Sequence, residues 1–184
     1  MGRDDELYRR FLSGKTSAYD ELMILYGDSL TFYLYGYLHN WQNAEDLTVE
    51  AFARILVKKP RIREGGFKAY LYKTARNLAS RFHSREKRIE SFSLEGAEKE
   101  LSDSRSLEDH LQEEEKKRIL HVCLERIDPE LREALWLVYF EDLSYADAAG
   151  VMNVSRKRVD KLLQRGKVIL RTELEKEGIT NAHE

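Results

Sequence analysis

Ser144-Tyr145-Ala146-Asp147-Ala148-Ala149-Gly150-Val151-Met152-Asn153-Val154-Ser155-Arg156-Lys157-Arg158-Val159-Asp160-Lys161-Leu162-Leu163-Gln164-Arg165 holds two short helical patterns that meet at Met152-Asn153-Val154. Ser144 and Ser155 stand where N-caps belong, and Ser144 with Asp147 has capping-box spacing. Asn153 falls where the turn demands positive φ, which Asn tolerates better than other residues bearing a Cβ. The spacing predicts a helix-turn-helix with Ala148, Ala149, Met152, Val154, Val159 and Leu162 inward. Ser155, Arg156, Lys157, Asp160, Lys161, Gln164 and Arg165 then form the outward face of the second helix. From Ser155 to Arg171 seven Lys and Arg meet one acid, a net of +6 where the whole chain is −2, an excess suited to phosphate contact. A helical corner with a merely solvated basic face shares this pattern.

Working outward, 184 residues at 42% hydrophobic and 35% charged suffice for one large or two small soluble domains. No apolar run reaches membrane-span length and no signal peptide stands at Met1-Gly2-Arg3-Asp4, so a cytoplasmic protein with no membrane insertion is expected. Cys123 lies on the apolar stripe Leu120, Cys123, Leu124, Ile127 and reads as a small buried hydrophobe. The five histidines form no pair at metal-ligand spacing, and no phosphate loop, nucleophile elbow or HExxH occurs. The expectation is a non-enzyme with no metal, cofactor or small-molecule substrate.

The 3.6-residue period dominates the chain, which predicts an all-α fold. Leu7 and Phe11, then Tyr19, Leu22, Met23 and Tyr26, read as two helices; Leu30, Tyr33, Leu34, Tyr37 and Leu38 continue a third. Asn43 with Asp46 has cap spacing for a helix burying Leu47, Ala51, Phe52 and Ile55 and exposing Glu45, Asp46 and Glu50. An acidic face cannot bind DNA and suits a protein partner, or simply solvent. Between Arg54 and Arg88 the sign inverts, with twelve basic residues and two acids. That segment opens with the loop Lys58 to Gly66. A helix from Phe67 follows, with Leu71, Ala75, Leu78 and Phe82 inward. Tyr70, Lys73 and Asn77 share a stripe interleaved with Lys68, Tyr72, Arg76 and Arg81. Aromatic, amide and basic groups on one face suit unstacked bases and their phosphates; an ordinary amphipathic helix with half-buried tyrosines is the alternative.

Nine acids and two bases lie between Ser91 and Glu115, and Ser91 to Arg105 reads as a flexible acidic linker reaching at most about 50 Å. Ser106 and Asp109 mark a helix start running to Ile127. Asp128-Pro129 starts the next helix, with Leu131, Ala134, Leu135, Val138 and Tyr139 inward. The expected layout is a domain at 1–90, a linker at 91–105, a domain at 106–178 and a polar tail at 179–184. Two basic faces joined by such a linker suit a bipartite DNA target.

These motifs together resemble a bacterial RNA polymerase sigma factor of the compact extracytoplasmic-function group. Asn43 to Phe52 is similar to that family's acidic helix, which implies core RNA polymerase docking by Glu45, Asp46, Val49 and Glu50. Phe67 to Ala79 resembles the helix that captures the separated −10 strand, and the loop before it resembles the one that pockets a flipped base. The resemblance implies −10 strand contacts by Arg61, Arg63, Phe67, Lys68, Tyr70, Lys73, Arg76, Asn77 and Arg81. Asp128 to Arg171 resembles the −35-reading domain. Val49 stands where Gln is usual, Tyr70 where Trp is usual, Arg81 where Asp is common, Lys157 for a usual Gly and Asp160 for a frequent basic residue. The family implies promoter DNA, double- and single-stranded, core polymerase and an anti-sigma factor as partners. A helix-turn-helix repressor or activator with an amino-terminal sensing domain is the alternative.

Overall fold

The computed structural model describes residues 2–92 and 115–179. Among these every regular element is helical, and the chain divides into two compact units, Met1–Asp103 and Ser104–Glu184. No helix among the described residues is long and apolar enough to cross a membrane.

The first unit contains α1 (Arg3–Leu12), α2 (Ser17–Leu38), α3 (Trp41–Lys58) and α4 (Phe67–Phe92). Its core is rich in aromatic rings: Tyr8, Phe11, Tyr19, Tyr26, Tyr33, Phe67 and Tyr72 are all buried. Tilted pairs such as Tyr8–Phe67 at 5.1 Å and Tyr33–Tyr72 at 5.0 Å bring α1, α2 and α4 together. Several hydroxyls of this core bond across helix contacts. Tyr19 donates to the Phe52 carbonyl, Ser29 and Tyr72 bond at 3.0 Å, and Thr31 and Thr48 bond at 2.9 Å across the α2–α3 contact.

Four expectations change here. The segments read as two helices from Tyr19 to Leu38 are one 22-residue helix, because Gly27 neither bends nor ends it and buried Tyr26, Leu30 and Thr31 carry the packing across it. Met23, part of the apolar pattern of that segment, is 40% exposed. The cap of α3 is Asn40 rather than Asn43: Asn40 has the extended backbone of a cap, and its side chain accepts from the Asn43 N–H at 2.9 Å. Leu47, Ala51, Phe52 and Ile55 are buried as expected. Helix α4 continues through Ser91 and Phe92, two residues read into the linker; residues 93–105 and the Ser106 helix start lie outside the described residues.

The second unit contains α5 (Glu115–Glu125), α6 (Pro129–Leu135), a π-helical turn (Trp136–Phe140), α7 (Tyr145–Met152) and α8 (Arg156–Lys176). The Asp128 side chain accepts from the Glu130 N–H at 3.1 Å, and Pro129 occupies the first turn, where a missing N–H costs nothing. Leu131, Ala134 and Leu135 are buried as expected, but beyond them the phase shifts. Leu137 is buried, Val138 is half-buried and Tyr139 is 45% exposed, because the wide turn closes from the Glu141 N–H to the Trp136 carbonyl and rotates later side chains. Trp136 stacks on Phe140 at 4.9 Å and donates Nε1–H to Glu141. Cys123 is buried, and burial pushes its thiol up, as befits a packing residue. Gly166 lies where a Cβ would come within 3.1 Å of Leu135, so its lack of a side chain lets α8 approach α6. Arg126 joins α5 to the end of α8 through Glu177 at 2.7 Å.

Candidate nucleic-acid and polymerase interfaces

The helix-turn-helix forms as its punctuation predicts. Ser144 accepts from the Asp147 N–H at 3.1 Å, Ser155 accepts from the Arg158 N–H at 3.1 Å, and Asn153 sits at φ 56°, ψ 45°. Ala148, Ala149, Met152, Val159 and Leu162 are buried between α7 and α8. Val151 and Leu163 join them, while Val154 is only half-buried. Each fully buried leucine here contributes roughly 1.5–3 kcal/mol, enough to fix the angle at which α8 leaves the turn.

That packing decides which basic residues of α8 face solvent. Arg158 is turned back to Glu130 at 2.5 Å and Lys167 sits over the Tyr139 ring at 4.8 Å, so both serve their own unit. Arg156, Lys157, Lys161, Gln164 and Arg165 are exposed, with Ser155 at the helix start. Asp160 is half-buried and accepts from Gln164 Nε2 at 3.1 Å, one turn on, which leaves the amide of Gln164 oriented along the same face. The outward set read from the sequence is therefore a contiguous stripe on α8.

In the first unit, Glu45, Asp46 and Val49 are exposed on α3, Val49 by 62%, and Glu50 is half-buried. Glu45 accepts from Trp41 Nε1 at 2.8 Å, Asp46 from Gln42 Nε2 at 3.2 Å, and Glu50 pairs with Arg54 at 2.7 Å. The carboxylates are thus set by i,i+4 partners on their own helix. Leu56 and Val57, 41% and 80% exposed, extend the exposed apolar surface of α3; sequence reading did not single them out. Their signal was the apolar run Ile55-Leu56-Val57, longer than one buried stripe needs.

On α4, Tyr70, Lys73 and Asn77 share one stripe and all are exposed, Tyr70 by 36%. Arg81 is exposed one turn further, where it lines an open hollow with Ser80, Ser84, Arg85 and Arg88. Arg76 is half-buried. Arg61 and Arg63 are exposed on the loop before α4. Two assignments are corrected. Phe67 is fully buried against Tyr8 and Tyr26, so it anchors α4 and offers nothing to a base. Tyr72, read as part of the outer face, is also fully buried. Lys68 is half-buried with its ammonium over the Tyr26 ring at 5.4 Å.

The two units match two parts of one family. Residues 22–89 match Sigma-70 region 2, and residues 117–170 match Sigma-70 region 4. The chain belongs to the sigma-70 family of RNA polymerase sigma factors. Among relatives, the RNA polymerase sigma-H factor of Pseudomonas aeruginosa is 28% identical over 182 residues, covering 88% of this chain and 94% of that protein. The ECF RNA polymerase sigma factor BldN of Streptomyces coelicolor is 32% identical over 167 residues, 87% of this chain and 61% of that protein. ECF sigma factor SigE of Mycolicibacterium smegmatis is 27% identical over 166 residues, 90% of this chain and 65% of that protein. The chain thus spans less than two thirds of BldN and SigE and nearly all of sigma-H. Among solved structures, CnrH in complex with the cytosolic domain of CnrY has a TM-score of 0.66 at 18% identity, covering 95% of this chain and 98% of that one. The sigma factor RpoE of Bartonella quintana, solved with the anti-sigma factor NepR, has a TM-score of 0.62 at 18% identity, covering 85% and 96%. In this sigma factor most of α2, all of α3 and most of α4 make up region 2, and α8 supplies the second helix of the region 4 helix-turn-helix.

Proposed function

We propose that this sigma factor docks on core RNA polymerase through α3, reads a −35 duplex element with α8 and holds the melted −10 strand with α4 and the loop before it. The observation that carries the reading is the pairing, in one chain, of an acidic helix exposing Glu45, Asp46 and Val49 with the basic, aromatic stripe Tyr70, Lys73 and Asn77. Acidic groups repel nucleic acid, so the two surfaces call for two partners, a protein and a DNA strand. A repressor has no use for a single-strand stripe. The division of labour assigns residues 1–90 to docking and melting, 91–105 to a linker and 106–178 to the −35 element. An anti-sigma factor is a further partner, by analogy with RpoE bound to NepR. The protein acts in the cytoplasm, where polymerase is, and itself performs no catalysis. Initiation by core polymerase, only when this chain is supplied, from templates that core alone ignores is the test.

Within the −35 face the Asp160–Gln164 bond supports a coupled reading: the carboxylate orients the amide, and Gln164 meets the base edge. Asp160→Ala and Gln164→Ala should then relax preference at the same −35 position by about 1–3 kcal/mol per base pair. Lys161→Ala, a phosphate contact in this reading, should weaken all sequences alike and lower the salt slope by about one unit. Binding selection on a randomised −35 element measures all three. Effects of Asp160→Ala and Gln164→Ala at different positions would end the coupled reading.

A further inference from the structure

Helix α1 lies outside the part of the chain matched to region 2, yet it holds both ends of the loop between α3 and α4. The Tyr8 hydroxyl donates to the Pro60 carbonyl at 2.7 Å, and the Asp5 carboxylate accepts from the Gly65 N–H at 2.7 Å. Lys59 adds its ammonium over the Phe11 ring at 5.3 Å. Asp5 is only 7% exposed, and a carboxylate so placed needs a hydrogen-bond donor. The donor it has is the backbone of a residue at φ 71°, a conformation that suits glycine. Gly66 follows where a Cβ would meet the Arg63 carbonyl at 2.9 Å, so the loop turns tightly at this end.

Between its two ties the loop is largely exposed, with Ile62 half-buried. Ile62 and Arg63 face Arg9 and Leu12 across a cavity of about 140 Å³, and Arg61, Arg63 and Glu64 are exposed. The Gly66 N–H also closes on the Arg63 carbonyl at 3.0 Å, and the bonds to α1 add the long-range contacts that set where this short turn sits. Both bonds are robust: one is charge-assisted, and burial pushes the Tyr8 hydroxyl up to about 12, so it remains a donor at any physiological pH.

We propose that Asp5 and Tyr8 are positioning residues that hold the loop between α3 and α4, residues 59–66, in the one conformation able to select a base of the opened −10 strand. The inference rests on the assignment of that loop to the melted strand. Without the ties the loop samples other conformations, Arg61 and Arg63 still attract phosphate, and what is lost is discrimination at the position the loop reads.

The test is binding selection by holoenzyme, made from core polymerase and the full chain, on promoter DNA randomised through the −10 element. Wild type should yield a −10 preference; if it yields none, the functional reading itself fails, separately from the inference. Tyr8→Phe keeps the ring packed on Phe67 and loses only the hydroxyl. Asp5→Ala removes the acceptor, whereas Asp5→Asn retains an oxygen for the Gly65 N–H. We expect Tyr8→Phe and Asp5→Ala each to flatten preference at one −10 position by about 3- to 10-fold, with Asp5→Asn close to wild type and −35 preference unchanged in all three. Unchanged −10 preference in Tyr8→Phe and Asp5→Ala overturns the proposal. So does a loss spread evenly over every −10 and −35 position, or an Asp5→Asn protein as impaired as Asp5→Ala.

Discussion

The chain carrying Asp46→Lys and Glu50→Lys is expected to lose core polymerase, with affinity falling by about 100-fold or more, because like charges are set across a docking surface. Both residues stand on α3 with Val49 between them, and Asp46 is exposed. Glu50 also pairs with Arg54, so Glu50→Lys alone exchanges an attraction within the helix for a repulsion. The single Asp46→Lys variant avoids that, since Asp46 touches Gln42 rather than a charge. It should retain full helicity and still bind polymerase weakly. Pull-down against core polymerase with circular dichroism alongside measures both. Wild-type affinity in the folded double variant would leave this face merely solvated.

Tyr70→Ala and Asn77→Ala are expected to give holoenzyme that binds promoter DNA but opens it poorly. Stacking of a base on an aromatic ring is worth about 1–3 kcal/mol, and with Phe67 buried, Tyr70 is the ring on this stripe that a base can reach. Asn77 is exposed, so Asn77→Ala should keep near wild-type stability, whereas Tyr70 is only 36% exposed and Tyr70→Ala also loses the packing of a half-covered ring. Permanganate reactivity of unpaired thymines reports the opening. Normal reactivity in both variants removes the single-strand role from α4.

The helix-turn-helix was legible because its punctuation is local. Two serine caps and an Asn at positive φ specify start, turn and restart without help from the rest of the chain. The acidic face of α3 and the Tyr70 stripe were legible for a related reason: a 3.6-residue period assigns faces once a helix is granted. What was not legible depended on tertiary contacts. The apolar pattern divides between Tyr26 and Leu30, but nothing crowds Gly27 there, and Tyr26 and Leu30 are buried strongly enough to carry the helix through. Asn40 and Asn43 stand three residues apart and either could cap α3; the backbone of Asn40 and its bond from the Asn43 N–H separate them. The π-helical turn at Trp136–Phe140 has no sequence mark, so the inward reading of Tyr139 failed where one extra residue entered the turn. Phe67 is expected against DNA, but its four-residue spacing from Leu71 puts it on the buried face, and the rings of Tyr8 and Tyr26 complete that pocket. The ties from α1 to the loop are long-range hydrogen bonds that no periodicity encodes.

The most direct test of the central claim is run-off transcription from a library of linear templates by purified core polymerase, with and without this chain, with transcript 5′ ends mapped. The account predicts start sites that appear only when the chain is present and that share two upstream sequence elements at a fixed spacing. Identical start sites with and without the chain, or a reduction of transcription from sites that core already uses, would contradict it.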